Sequence, residues 1–205
     1  MINSKLKIKY FFLLKVFSIY FFISLKSYAE NIDKNNNYIT LGEDNAPVKI
    51  KIFSSHTCPH CASFHIDIYP QLKNDYLDTG LAKIEFRHFP LDIAALNASK
   101  ISQCKQGRGL EILNSLYSNQ QAWVKGSTID EINESLKKFI EKENFNLDFE
   151  KCIKNKEIED FVLNDRIEGV KTFKVNATPT IIINNKKFEK TLNYKNIKKA
   201  LEKLI

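Results

Sequence analysis

The chain of 205 residues has no cysteine before Cys58, so an N-terminal cysteine for lipid attachment is excluded. After Cys58 and Cys61 only Cys104 and Cys152 remain. They stand alone rather than as a second CxxC, so the matching ligand pair that a structural zinc site draws on is missing, although His56, His60 and His65 crowd the first pair. Ala62 follows Cys61 where covalent haem attachment needs histidine. The longest apolar run is broken by Lys15 and falls short of the roughly 20 residues of a membrane span. Acid is missing from residues 1–29, which hold Lys5, Lys7, Lys9, Lys15 and Lys26. That discounts the net charge of +7: without this segment 26 basic residues face 24 acidic ones, leaving +2. The charge therefore gives no argument for a nucleic-acid partner.

What the first residues do contain is a basic start, an apolar run from Val16 to Leu25, and small residues at Ser27 and Ala29 flanking Tyr28. This is the pattern of a secretory signal peptide over 1–29, cut after Ala29. An uncleaved membrane anchor is the alternative. Export places the chain in a compartment that permits disulfides. The expected organisation is a flexible segment at 30–38, a first part of a domain at 39–90, a helical insertion at 91–165 and a second part at 166–205. The length after the leader suits one well-buried domain.

Cys58-Pro59-His60-Cys61 carries the chemistry. Two cysteines three apart at a helix start can pass a disulfide to and from another protein. Proline suits the first helical turn, where its missing N–H is no loss. His60 adds a donor that is cationic when protonated. The helix N-terminus favours an anion, and the reactive form of cysteine is the thiolate. Stabilising that thiolate makes the disulfide ready to leave, so the protein oxidises others. Cys58 is the attacked sulfur on this reading, and Cys61, one turn deeper, is the buried partner.

Val48 to Phe53 alternates as a strand, with Val48, Ile50 and Ile52 on one side and Lys49 and Lys51 on the other. A helix from Pro59 presents Phe64, Ile68, Leu72 and Tyr76, is kinked by Pro70 and ends at Gly80. Ala82 to Phe89 reads as a second strand. From Leu91 to about Asp165 the period turns helical, with a capping box from Thr128 to Glu131. Trp123 reads as a core or hinge residue. Thr180 to Ile183, Asn184-Asn185 and Lys186 to Phe188 form a hairpin pattern, and Asn193 caps a last helix through Ile197, Leu201 and Leu204. The expected fold class is α/β, a thioredoxin-like fold whose central mixed β-sheet is flanked by helices, with an inserted all-helical subdomain.

The tetrad, Phe53-Ser54 before it, Phe64 and His65 after it, Asp78-Thr79-Gly80, Arg87 to Leu91, Gly169-Val170 and Ala177-Thr178-Pro179-Thr180 together resemble the DsbA-like family of exported thiol–disulfide oxidoreductases. The likeness runs over about Tyr38 to Leu204. It implies a thiol oxidase that donates the Cys58–Cys61 disulfide to newly exported proteins in the periplasm, needs no cofactor or metal, works as a monomer and is reoxidised by a quinone-linked membrane protein. A reductase or isomerase on the same fold is the alternative, and a metal-binding or peptide-holding module is a further one. The resemblance also implies that Pro179 is cis and lies against the Cys58 sulfur, with Thr178 offering a backbone edge to a substrate strand. By resemblance and by their even count, Cys104 and Cys152 are expected to pair as a structural disulfide. Two departures stand out. The strand position where this family often carries an acid holds Ile52, and Thr178 is a residue type that does not mark a strong oxidase.

Overall fold

A computed structural model describes residues 38–205. The expected signal peptide and most of the flexible segment lie outside the described residues. In chain order the elements are β1 (Ile39–Leu41), β2 (Val48–Ser54), a helical run α1 of alternating α and π turns (Pro59–Ser63, Phe64–Ile68, Tyr69–Leu72, Lys73–Leu77) and β3 (Ala82–His88). Six helices follow: α2 (Ile93–Cys104), α3 (Gly109–Ser118), α4 (Gln120–Trp123), α5 (Ile129–Lys142), α6 (Phe149–Lys154) and α7 (Lys156–Phe173). The chain ends with β4 (Thr180–Ile183), β5 (Lys186–Lys187) and α8 (Tyr194–Leu201).

The five strands form one mixed sheet in the order β1-β3-β2-β4-β5. β2 and β3 run parallel, placing Ile50 beside Ile84 and Ile52 beside Phe86, and the other pairings are antiparallel. Val48, Ile50 and Ile52 are buried, each contributing roughly 2 kcal/mol of apolar burial. Lys51 on the opposite side pairs with Glu85 at 3.0 Å. The strand loses its alternation at Phe53 and Ser54, both buried, as it reaches the centre of the molecule. Asn184 and Asn185 turn the β4–β5 hairpin with φ of 45° and 65°. This is the mirror-image turn that suits the twist of paired strands.

α1 accommodates Pro70 through its π turns. The Tyr69 N–H reaches the Phe64 carbonyl, so the hydrogen bond that Pro70 cannot donate is lost without ending the helix. The C-terminal helix is shorter than its apolar spacing suggests. α8 stops at Leu201, and Leu204, expected on its buried face, is exposed.

The helical block has its own core, which includes Ala98, Ile101, Ile112, Leu116, Trp123, Leu136, Phe139, Ile140 and Cys152. Trp123 is fully buried and its indole N–H donates to the Leu116 carbonyl at 2.8 Å, so it is a core residue. The Thr128–Glu131 capping box starts α5. α7 spans the expected boundary at 165 as one helix and docks on β3. There the buried Arg87 donates to Asp165 at 2.5 Å and to Glu168 at 2.6 Å, and Asp165 also accepts the His88 N–H. Such a buried pair fixes a register more than it adds stability. Close approach is possible because Gly169 faces Phe53: a Cβ there would lie 2.9 Å from the ring.

Candidate active site

β2 ends at Ser54, and four residues later Cys58 stands in extended conformation as the N-cap of α1, with Pro59 in the first turn. The loop closes on itself: the Cys58 N–H donates to the Ser55 carbonyl, while Cys61 and Ala62 N–H groups donate to the Cys58 carbonyl. Both thiols are free. Cys58 retains 8% of its surface and Cys61 none, so only Cys58 can meet another protein. The Ser55 N–H points at Cys61 Sγ from 3.4 Å. Cys58 Sγ donates to the Thr178 carbonyl, also at 3.4 Å, and the Thr178–Pro179 peptide bond is cis. Cys58, Cys61, Pro59, Thr178 and Pro179 are thus gathered in one place. His60 is exposed, and its part in the geometry is its backbone N–H at the helix start.

The two sulfurs are electrostatically unequal. The Cys61 thiol donating to Cys58 pulls the latter's pKa down to about 5, against the cost of burial, and the Cys61 and His60 N–H groups add to this. Burial first, and then the hydrogen bond given to Cys58, push the Cys61 thiol far above its ordinary value. One sulfur is held ready as a thiolate and the other as a thiol.

Behind the motif three rings stack. Tyr117 of α3 lies between His65 of α1 at 3.8 Å and His56 of the loop at 4.6 Å. The ring nitrogens of His56 and His65 find no hydrogen-bond partner, and burial pushes both imidazoles down, His65 to about 3. They are neutral packing groups. Among the described residues no group of three or more His, Cys, Asp or Glu is placed to hold a metal ion. Ile52 is fully buried between Phe86 and Ile181, so no ionisable side chain stands at that strand position. Cys104 and Cys152 form a disulfide, with Cα atoms 5.5 Å apart, in the helical core.

A family model described as Thioredoxin matches residues 34–203. The chain belongs to the thioredoxin family. Disulfide bond formation protein D of Bacillus subtilis (strain 168) is 28% identical over 180 residues, covering 80% of this chain and 75% of that protein. A probable disulfide bond formation protein D of Bacillus cereus is 29% identical over 208 aligned residues, covering 92% and 93%. The crystal structure of Wolbachia pipientis alpha-DsbA1 is 28% identical with a TM-score of 0.73, covering 82% of this chain and 90% of that one. Within the thioredoxin family, the chain is a DsbA-like protein disulfide oxidoreductase.

Four residues around this thioredoxin-family motif carry no signal in the sequence. Gln120 is buried at the start of α4 and its amide donates to the His56 carbonyl at 2.7 Å and the Cys58 carbonyl at 3.1 Å. Ser55, Thr57 and Asp92 form a polar chain: Ser55 Oγ lies 3.3 Å from Thr57 Oγ1, which donates to Asp92 Oδ2 at 2.6 Å. Asp92 also caps α2 by accepting the Ala95 N–H. An aspartate just before an apolar helical stretch is a cap signal that marks its structural role only.

Proposed function

We propose that the chain is an extracytoplasmic thiol oxidase that donates the Cys58–Cys61 disulfide to reduced, newly exported proteins. The observation that carries this reading is the inequality of the two sulfurs. A client thiolate attacks Cys58 Sγ, the only one of the pair with exposed surface, and Cys61 leaves. The client's second thiolate then attacks the client sulfur of the mixed disulfide. Cys58 departs as the thiolate that the helix start and its hydrogen bonds favour, and the client disulfide is complete. Two electrons have passed from the client dithiol to the Cys58–Cys61 pair, which a quinone-linked membrane protein reoxidises. The Thr178 edge beside the reactive sulfur suits a client segment pairing through its main chain, a mode that tolerates many sequences. Exposed Leu91 and Ile93 flank Asp92, which Thr57 ties to the motif loop, and suit clients that are still unfolded.

Residues 1–29 act as the export signal on this reading, and the periplasm is the compartment. The Cys104–Cys152 disulfide agrees with an oxidising location. Among the described residues no helix is long and apolar enough to cross a membrane. Residues 91–165 serve as a helical insertion that frames the motif.

The test is the reduction potential of the Cys58–Cys61 pair in glutathione buffers. A value around −120 mV, which is that of DsbA itself, supports donation. A value around −270 mV, at the thioredoxin end, replaces the oxidase with a reductase.

A further inference from the structure

Disulfide exchange at this site needs a proton moved at Cys61. To close the disulfide, the Cys61 thiol must lose its proton before it attacks a mixed disulfide on Cys58. To open it, the departing Cys61 thiolate must gain one. The strand position behind the motif offers only Ile52, fully buried. The titratable groups packed around Cys61 and its loop are Cys58, His56, His65 of α1, His88 of β3 and Tyr117 of α3. A proton reaching His56 or His65 arrives in a dry site, on a ring whose nitrogens have no partner to pass it on.

The loop itself holds a connected alternative, and its direction can be worked out. Asp92 Oδ1 and Oδ2 only accept, so the single Thr57 hydroxyl proton is committed to Asp92 Oδ2 at 2.6 Å. Thr57 Oγ1 must therefore accept from Ser55 Oγ at 3.3 Å. Ser55 Oγ accepts the Leu91 N–H at 3.3 Å and keeps one lone pair open. Ser55 is fully buried, and it is the residue whose N–H touches Cys61 Sγ. Asp92 is exposed, so the chain runs from the buried sulfur's neighbour to solvent. Arg166 of α7 donates to the carbonyl of Pro90, two residues before Asp92, at 3.1 Å.

We propose that Ser55, Thr57 and Asp92 form the proton path of Cys61, taking over from the missing strand acid. In closing, with Cys58 taken up in the mixed disulfide, the Cys61 S–H turns from Cys58 to the open lone pair of Ser55 Oγ; its proton passes there, the Ser55 proton to Thr57 Oγ1 and the Thr57 proton to the Asp92 carboxylate. Cys61 Sγ, now a thiolate, attacks Cys58 Sγ, and the partner's sulfur leaves with the electron pair. In opening, the same transfers run in reverse and return a proton from solvent. Thr57 and Asp92 touch neither sulfur. They are positioning residues, and what they position is a proton. The inference rests on Cys61 being the resolving cysteine, not on whether net transfer is oxidation or reduction.

The experiment mixes reduced protein with excess glutathione disulfide and follows the two steps separately from pH 5 to 9: formation of the mixed disulfide on Cys58, then its resolution by Cys61. Asp92→Asn keeps one oxygen for the Ala95 N–H, so α2 stays capped, while the atom facing Thr57 becomes an amide NH2 and the proton acceptor is lost. The expected result is resolution slowed about tenfold at pH 7, below the ~100-fold or more of a directly bonded base because water offers a slower route. The deficit closes toward pH 9, and the first step and the Cys58 titration stay as in the parent. Thr57→Val shows the same loss and Thr57→Ser restores the rate. Parental resolution rates in both Asp92→Asn and Thr57→Val overturn the proposal. So does an equal loss at every pH with a moved Cys58 titration, which is a loop distortion. Cys61→Ser must trap the mixed disulfide: failure to trap overturns the assignment of Cys61 and the path with it, whereas normal trapping with parental Asp92→Asn rates overturns the path alone.

Discussion

The molecule holds two cysteine pairs, and they sit at opposite kinds of helix end. Cys58 is the N-cap of α1, where N–H groups converge, and its sulfur keeps some exposure. Cys104 is the last residue of α2, where carbonyls converge, and it is bonded to Cys152 inside the helical core. A helix start lowers the free energy of a thiolate and a helix end raises it. The first pair therefore has a good leaving group that a partner can reach. The second has a poor leaving group at a partly buried Cys104, and its partner Cys152 is buried in the helical core. The same bond serves for transfer in one place and for bracing in the other, and the difference lies in the backbone around it.

Removing each pair in turn is the strongest way to break this comparison. Cys58→Ser should reduce disulfide transfer to a dithiol peptide by about a thousandfold or more, with a folded protein by circular dichroism. Replacing Cys104 and Cys152 together by serine should leave the transfer rate nearly unchanged. It should lower the unfolding free energy in urea by about 4 kcal/mol, from the loop of 48 residues that the bond closes. A large loss of transfer with little loss of stability would show that the second pair takes part in exchange.

The comparison sharpens with pH, because only the first pair titrates. Cys58 has a folded-state pKa near 5 against about 8.5 for a free thiol. Between these values the unfolded chain binds a proton that the folded dithiol does not, so the stability of the reduced form rises with pH across that window. Below about pH 5 the advantage is gone. Cys61, pushed upward, is a thiol in both states until the pH nears about 8.5, where the unfolded chain begins to lose its proton first and offsets a little of the gain. The stability of the dithiol form relative to the disulfide form should rise by roughly 3 kcal/mol from pH 5 to 8.5, allowing for solvent reaching the Cys58 sulfur. Urea titrations of both forms, in a chain with Cys104 and Cys152 replaced by serine, measure it. A flat difference would remove the electrostatic inequality on which the oxidase reading stands.

Local patterns in the sequence located most of the fold. The alternation of Val48, Ile50 and Ile52, the Thr128–Glu131 box and the Asn184-Asn185 turn are each written within a few residues and are found as expected. Leu204 shows where such reading stops: its spacing continues the apolar face of α8, but the helix has ended at Leu201 and the side chain is exposed. The site divides in the same way. Cys58, Pro59 and Cys61 lie within four consecutive residues, and Thr178-Pro179 stands out by family resemblance. The Ser55–Thr57–Asp92 chain joins residues 35 apart, all of types common in loops, and no periodicity points to it. Gln120 is 62 residues from Cys58 and becomes meaningful only when α4 folds against the loop.

Gln120 also gives the smallest and most discriminating way to test how separate the two regions are. It belongs to the helical block, yet its amide is one of the side chains that tie this block to the motif loop, here through the His56 and Cys58 carbonyls. The two carbonyls do not depend on it equally. Cys58 O also receives the Cys61 and Ala62 N–H groups, so it stays satisfied when the amide is removed. The His56 carbonyl is the one left short, in a buried site. Gln120→Leu fills the space without a donor and should cost about 2 kcal/mol of stability, in the range for one orphaned buried acceptor. Because neither bond reaches a sulfur, the loss should be equal in the dithiol and disulfide forms, and the Cys58 titration followed by thiolate absorbance should not move. If the titration moves with the stability, the helical block shapes the thiolate as well as framing it. The contrast between a chemical pair and a bracing pair would then have to be redrawn as one coupled unit.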